Sequence, residues 1–118
     1  MTYDEFVYTT LTKVCPGTYI AYDQGHAPAL PWFAYSPRRG GEVFADDENY
    51  SRLPRYRVEL LFKEMDTDLI ARFEEALSQL GTWSLYLSDY LETERCLYHD
   101  YRLSLNLGKL REREASNG

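Results

Sequence analysis

The stretch RYRVELLFKEMDTDLIARFEEALSQLG, residues 55–81, decides the fold, because it holds the clearest strand and the clearest helix of the chain in succession. Side chains of two kinds alternate over residues 55–64, with apolar residues at every second position, and this alternation predicts a strand with one buried face. That face carries Tyr56, Val58, Leu60 and Phe62. The helical period over residues 65–81 predicts an amphipathic helix with Asp66 or Thr67 as its N-cap and Gly81 as a left-handed C-cap. A strand followed directly by a helix indicates a layered fold.

The same patterns extend to both sides of this stretch. Residues 2–14 predict an amphipathic helix that begins at a capping box, Thr2 and Glu5, and ends at Pro16-Gly17. Short strands are predicted at 18–23, 32–36 and 42–45, and two strands joined near Glu92–Glu94 follow the second helix. The sum is α+β: an antiparallel or mixed sheet of about five to six strands with two α-helices packed on one face.

Length and composition predict one domain, residues 1–107, followed by a mobile charged tail, residues 108–118. The formal net charge of −6 and the lack of a basic patch argue against a broad nucleic-acid footprint. The N-terminal residues lack the apolar run of a signal peptide, and no apolar run approaches the ~20 residues of a membrane helix. The two cysteines, Cys15 and Cys96, are expected to be free thiols.

No pattern of catalytic residues stands out in the chain. A nucleophile elbow, a phosphate-binding loop and a dinucleotide glycine fingerprint are all absent from the sequence. His26 lies in a Gly/Pro loop, and His99 lies on the apolar parity of the last strand, where a core histidine bonded to backbone or tyrosine is expected. We therefore expect no catalytic residues, no cofactor and no metal ligands.

The acidic segment Asp46-Asp47-Glu48-Asn49 is the best candidate for a cation site. Hard cations take oxygen ligands, but a calcium loop spaces them every second residue around a glycine, and here the acids are contiguous. Neighbouring side chains of an extended segment point apart, so a solvated connection between strands is the favoured interpretation.

Residues 43–66, VFADDENYSRLPRYRVELLFKEMD, resemble a segment common in small proteins of long-tailed phages and prophages of Gram-positive bacteria. There an F-A-D…Y stretch precedes a strand of the form Y-x-V-E-L and a helix. The helix ending at Pro16-Gly17, the stretch LPWFAY and the Trp-containing hairpin, residues 81–105, follow the same order. The resemblance covers residues 1–107 and is to tail-completion, tail-terminator or head–tail joining proteins, also called minor capsid proteins.

The resemblance implies a structural phage protein without catalysis. Such proteins form a ring, typically a hexamer, that caps the tail tube and joins it to the head connector. The implied partners are copies of the chain itself, the tail tube protein and the head-connector or head-closure protein, with DNA only passing through the lumen and no membrane. The implied location is the neck or tail of the virion, after assembly in the cytoplasm of the bacterial host.

A closed ring needs two different surfaces that fit each other. For one we predict strand residues on the face opposite the helices, where tyrosine and arginine suit a protein contact: Arg57, Glu59, Leu61, Tyr86 and Tyr98. For the other we predict the acidic segment with Asp46, Asp47, Glu48 and Tyr50. Arg38 and Arg39 form a candidate loop facing the lumen or DNA.

Two further functions are compatible with the sequence. One is another neck protein, a head-closure component, which would also be a small ring-former. The other is an acidic phage-encoded binding or inhibitor module that acts as a monomer or dimer. The 13 Lys and Arg residues interspersed among the acids count against charge mimicry of DNA.

Overall fold

A computed structural model describes residues 1–23, 25–38 and 54–117. This part of the chain forms three helices and five strands, in the order α1 Tyr3–Leu11, β1 Gly17–Tyr19, β2 Trp32–Pro37, β3 Arg55–Phe62, α2 Thr67–Leu80, β4 Gly81–Leu91, β5 Cys96–Leu105 and α3 Leu107–Asn117. None of the helices in these ranges is long and apolar enough to cross a membrane.

The strands form one mixed sheet in the order β1-β2-β3-β5-β4. β1 runs parallel to β2, and the other neighbouring pairs are antiparallel. The α+β class is therefore confirmed, and so is the mixed sheet of about five to six strands, of which the described residues form five. The long hairpin β4–β5 places β4 at one edge of the sheet.

Helix α1 begins at the predicted capping box. The Thr2 hydroxyl oxygen accepts a hydrogen bond from the Glu5 amide at 3.1 Å, and the Glu5 carboxylate accepts one from the Thr2 amide at 3.4 Å. The helix buries one face, Phe6, Val7, Thr10 and Leu11, in the core. The Tyr56 hydroxyl of β3 donates to the Asp4 carboxylate, which joins this helix to the sheet.

Helix α2 packs its apolar side against the same strand face. The Asp66 carboxylate caps it by accepting from the Leu69 amide at 3.0 Å, as the sequence predicts. The fully buried Phe73 ring lies 5.8 Å, centroid to centroid, from both the Phe33 ring of β2 and the Tyr101 ring of β5. These contacts place the helix over the middle of the sheet.

Gly81 does not end α2 in the predicted left-handed conformation. Its φ of 165° is extended, and β4 begins at this residue without a connecting loop. A Cβ atom there would lie 2.0 Å from the Ser104 carbonyl oxygen of β5. Close approach of two backbones, rather than a left-handed turn, therefore requires the glycine.

The mobile tail predicted for residues 108–118 is wrong for its described part, because residues 108–117 belong to helix α3, Leu107–Asn117. The Asn106 side-chain oxygen accepts from the Gly108 and Lys109 amides at 2.8 and 3.2 Å, as an N-cap does. Leu110 is 7% exposed and joins the core, and the Arg113 guanidinium donates to the Thr10 hydroxyl at 3.2 Å. The Asn106 cap and the buried Leu110 therefore stabilise a helix in a segment whose average hydrophobicity is low.

Strand β4 contains a bulge that reverses its parity. Leu85 pairs with Tyr101, but the next paired residue is Leu87, opposite Asp100, so Tyr86 is extra. Directly opposed residues project to the same face, which places Leu87 with Asp100 instead of with Trp83 and Leu85. The uninterrupted alternation predicted for residues 83–88 is wrong from Tyr86 onward.

Candidate functional site

The sheet face opposite α1 and α2, here called the outer face, is organised in three rows across four strands. The register aligns Trp32–Leu61–Tyr98–Asp89, Ala34–Glu59–Asp100–Leu87 and Ser36–Arg57–Arg102–Ser84. It therefore brings together Arg57, Glu59, Leu61 and Tyr98, four of the five residues that the sequence predicts for a partner-facing sheet surface.

Four charges at the centre of the outer face compensate one another. Arg57 and Arg102 oppose each other across β3 and β5, and Glu59 and Asp100 oppose each other in the adjacent row. The Arg57 Nε atom lies 3.2 Å from Asp100 Oδ2, and Arg57 Nη2 lies 3.5 Å from Glu59 Oε2. Arg102 Nη1 bonds the other Asp100 oxygen. Asp100, whose side chain is only 2% exposed, thus joins two arginines that would otherwise repel.

Tyr86 lies on top of this cluster. The Arg102 guanidinium carbon is 4.1 Å from the Tyr86 ring centroid, a cation–π stack. Because Asp100 fixes Arg102 from below, the ring is held in place even though Tyr86 is 66% exposed. The bulge supplies the extra residue that turns this ring onto the outer face.

Leu61, predicted to be available to a partner, is buried. It lies between Trp32 and Tyr98 in its row and is 6% exposed. The Trp32 ring is itself held edge-on by Tyr22, at 5.0 Å between centroids. Neighbouring rings therefore cover the leucine, and the accessible part of this row is its two half-buried aromatic residues and the exposed Asp89.

The other predicted contact residues lie mostly outside the described ranges. Asp46, Asp47, Glu48, Tyr50 and Arg39 belong to residues 39–53, as does the predicted strand at 42–45. Arg38 is described: it is exposed directly after β2, and its amide donates to the Arg55 carbonyl at 2.8 Å. Arg38 thus lies beside the start of β3, and its role facing the lumen or DNA stays a prediction.

A buried chain of hydrogen bonds crosses the helix-covered face. The Tyr101 hydroxyl donates to Glu74 Oε2 at 2.9 Å, and its oxygen lies 2.9 Å from His99 Nδ1. Because the phenol has one proton and gives it to Glu74, its oxygen accepts, so His99 Nδ1 carries a hydrogen. Burial and the bond to Glu74 raise the pKa of Tyr101, so it stays neutral. His99 is thus the buried histidine that the sequence predicts, and of the two predicted partners, backbone or tyrosine, Nδ1 bonds a tyrosine.

His99 is expected to make the folded chain less stable as the pH is lowered. Burial lowers the pKa of His99, and the nearby Glu74 carboxylate only partly opposes this. The unfolded chain, with a histidine pKa of about 6.5, then binds more protons than the folded chain. The free energy of unfolding should therefore decrease as pH falls through about 6.5, with a slope of at most about 1.4 kcal/mol per pH unit from this residue.

Urea unfolding at several pH values between 5 and 8 measures this slope. His99→Gln should flatten it, whereas the matched control His26→Gln removes the exposed histidine of the loop before β2. An identical slope for His99→Gln and the wild-type chain would contradict the assignment to His99.

The cysteines are not placed for nucleophilic chemistry. Both are free and buried. Burial raises the pKa of Cys15 to about 12, against a weaker opposing effect of Arg72, and burial followed by Glu94 raises the pKa of Cys96. Both therefore remain protonated thiols at neutral pH, whereas the thiolate is the reactive form. Within the described ranges no cluster of His, Cys, Asp or Glu is arranged to hold a metal ion.

Sequence reasoning missed Asp100 as the anchor of the outer face. A carboxylate two residues before Arg102 shares its strand parity, and this spacing was the available signal. Its importance depends on Arg57, which the sequence alone does not place beside β5.

No protein-family model, curated protein or solved structure matches this chain.

Proposed function

We propose that this chain is a structural phage protein that forms a ring, a hexamer by the resemblance, at the end of the tail tube and joins it to the head connector. The observation that carries the proposal is the outer face, where the exposed Tyr86 ring is stacked on an arginine fixed by Asp100. Tyrosine and arginine are enriched at protein interfaces, and a side chain already held in place loses little entropy on binding.

The charge arrangement supports contact with a protein. The four central charges belong to two arginines in one row and two carboxylates in the adjacent row, so the net charge of the cluster is zero. A neutral cluster does not favour binding to phosphate backbones, which requires an excess of positive charge. Arg57, with 46% of its side chain accessible against 20% for Arg102, is the more exposed arginine of the cluster and the one proposed to meet an acidic partner surface.

The acidic segment 46–50 is the proposed partner surface on the neighbouring copy. This pairing would give a heterologous contact of the kind that closes a ring. Opposite charges on the two surfaces would set the register between copies more than the affinity.

Tail tubes purified from a long-tailed phage of the bacterium that carries this gene provide the test. The chain is expected to bind the tube ends as rings visible by negative-stain electron microscopy. Binding to isolated head connectors but not to tubes would support a head-closure role instead. Binding to neither tubes nor connectors would contradict the proposal and favour the inhibitor module.

Arg57→Gln is expected to weaken ring formation on tube ends by at least about fivefold, since interface arginines commonly contribute about 1 kcal/mol or more. Arg72→Gln is the matched control, because Arg72 is an exposed arginine of α2 paired with Asp68. Titration of tube ends with each variant, counted by microscopy, measures the change. Equal binding by the two variants would show that the outer face does not contribute to ring formation.

A further inference from the structure

We propose that the edge of β4 is a self-association site, at which β4 pairs antiparallel with β4 of a second copy of this chain. The inference is independent of the ring proposal, because it depends only on the register and side chains of this strand.

Apart from its bulge and Asp89, strand β4 lacks the features that commonly block pairing at a sheet edge. It spans Gly81–Leu91, and among the residues the structure describes only β5 pairs with it. It contains no Lys, Arg or Pro, the residues that usually block an edge. Its exposed large side chains are Leu85, Tyr86, Leu87 and Tyr90, each at least 42% accessible. At the other end of the order of described strands, β1 is only three residues long.

The bulge selects one register for self-pairing. Residues 82 and 84 lie on the outer face before the bulge, and 87, 89 and 91 lie there after it. Opposed residues must share a face, so a two-fold axis between Tyr86 and Leu87 is needed to match every position. The resulting pairs are Thr82–Leu91′, Trp83–Tyr90′, Ser84–Asp89′, Leu85–Ser88′ and Tyr86–Leu87′, where a prime marks the second copy.

These pairs are chemically complementary. An aromatic pair, Trp83–Tyr90′, occurs twice by symmetry, and the Ser84 hydroxyl faces the Asp89′ carboxylate, the only charge on the strand. Asp89 Oδ1 now accepts from the Tyr90 amide at 2.8 Å, so that amide is bonded to a side chain rather than to a strand. Pairing offers that amide a backbone acceptor and leaves the carboxylate to Ser84′.

The size of the contact suits a stable interface. Ten residues on each copy place on the order of ten backbone hydrogen bonds between the strands. That number is typical of specific protein–protein interfaces. A second copy is the favoured occupant because one strand supplies both halves of every pair and no like charges meet.

Sedimentation equilibrium of the free chain, over a range of concentrations and without tubes or connectors, tests the proposal. The wild-type chain should sediment as a reversible dimer, at twice the 13.9 kDa chain mass. Ser84→Asp places two carboxylates opposite each other at two symmetric positions and should raise the dimer dissociation constant about tenfold. Adding Asp89→Ser exchanges the two partners and should restore the wild-type constant.

Ser116→Asp, on the exposed side of α3, is the control for added negative charge and should leave the dissociation constant unchanged. Circular dichroism melting verifies that each variant is folded. A wild-type chain that stays monomeric, an assembly unaffected by Ser84→Asp, or a double variant no tighter than Ser84→Asp would each overturn the proposal. A strictly monomeric chain would assign the edge to a strand of a different protein.

Discussion

Replacing Gly81 with alanine is expected to lower the free energy of unfolding by about 3 kcal/mol, the upper part of the range for overpacking a closely fitted site. The added methyl carbon would lie 2.0 Å from the Ser104 carbonyl oxygen and 2.9 Å from the Asn106 nitrogen. Both are backbone atoms, so no side-chain rotation relieves the overlap. The start of β4 must move away from the end of β5, which disturbs the pairing of Gly81 with Leu105.

Thermal and urea unfolding of Gly81→Ala measure this loss, and Gly108→Ala is the matched control. At Gly108 the nearest atom to an added Cβ is the Asn106 side-chain oxygen at 3.0 Å. That oxygen caps α3 by bonding the Gly108 and Lys109 amides, and a shift of a few tenths of an ångström relieves the contact while keeping the cap. Gly108 lies in α3, where alanine favours the helix. Gly108→Ala should therefore stay within about 1 kcal/mol of the wild-type chain. Equal effects at the two positions would show that close backbone approach does not govern Gly81.

The periodic parts of the sequence predict the central elements well. Residues 55–62 alternate and form β3, and residues 67–80 follow the helical period and form α2, with Asp66 as the cap. Here local preference and burial point to the same structure, so the chain alone is sufficient. The identity of the buried strand face follows from the same alternation.

The bulge at Tyr86 was not predictable from alternation. Ser84, Tyr86 and Ser88 form a regular polar series in the sequence, and nothing local indicates that Tyr86 is extra. The irregularity appears only when β4 is aligned with β5, where Leu85 and Leu87 oppose consecutive residues. Both the Tyr86 stack and the self-pairing register depend on that single residue.

The burial of Leu61 and Asp100 was missed for a related reason. Each is on the strand parity that the sequence correctly assigns to the outer face. Trp32 and Tyr98 cover Leu61, and two arginines cover Asp100. Except for Arg102, which lies two residues further along β5, the covering residues come from other strands, so register between strands had to be known first.

Replacing Asp100 with asparagine is expected to lower the free energy of unfolding by about 2 kcal/mol, the scale of charge-assisted hydrogen bonds. The carboxylate is 2% exposed and bonds both Arg57 and Arg102. An amide retains the shape but offers one acceptor oxygen and no charge. Arg57 and Arg102, which oppose each other directly, then repel. Their partial exposure to water limits the repulsion and keeps the loss below that of a fully buried pair.

Salt separates the two contributions to this loss. In about 1 M NaCl the Debye length falls to ~3 Å, so repulsion between the arginines is screened while the lost hydrogen bonds remain lost. The difference in unfolding free energy between Asp100→Asn and the wild-type chain should therefore shrink with added salt without disappearing. Asp68→Asn is the matched control, because Asp68 is 82% exposed and forms a surface pair with Arg72. Its effect should be no more than about 0.5 kcal/mol. A loss at Asp100 as small as that at Asp68 would mean that the arginines do not need this carboxylate, and Tyr86 would then have no fixed support on the outer face.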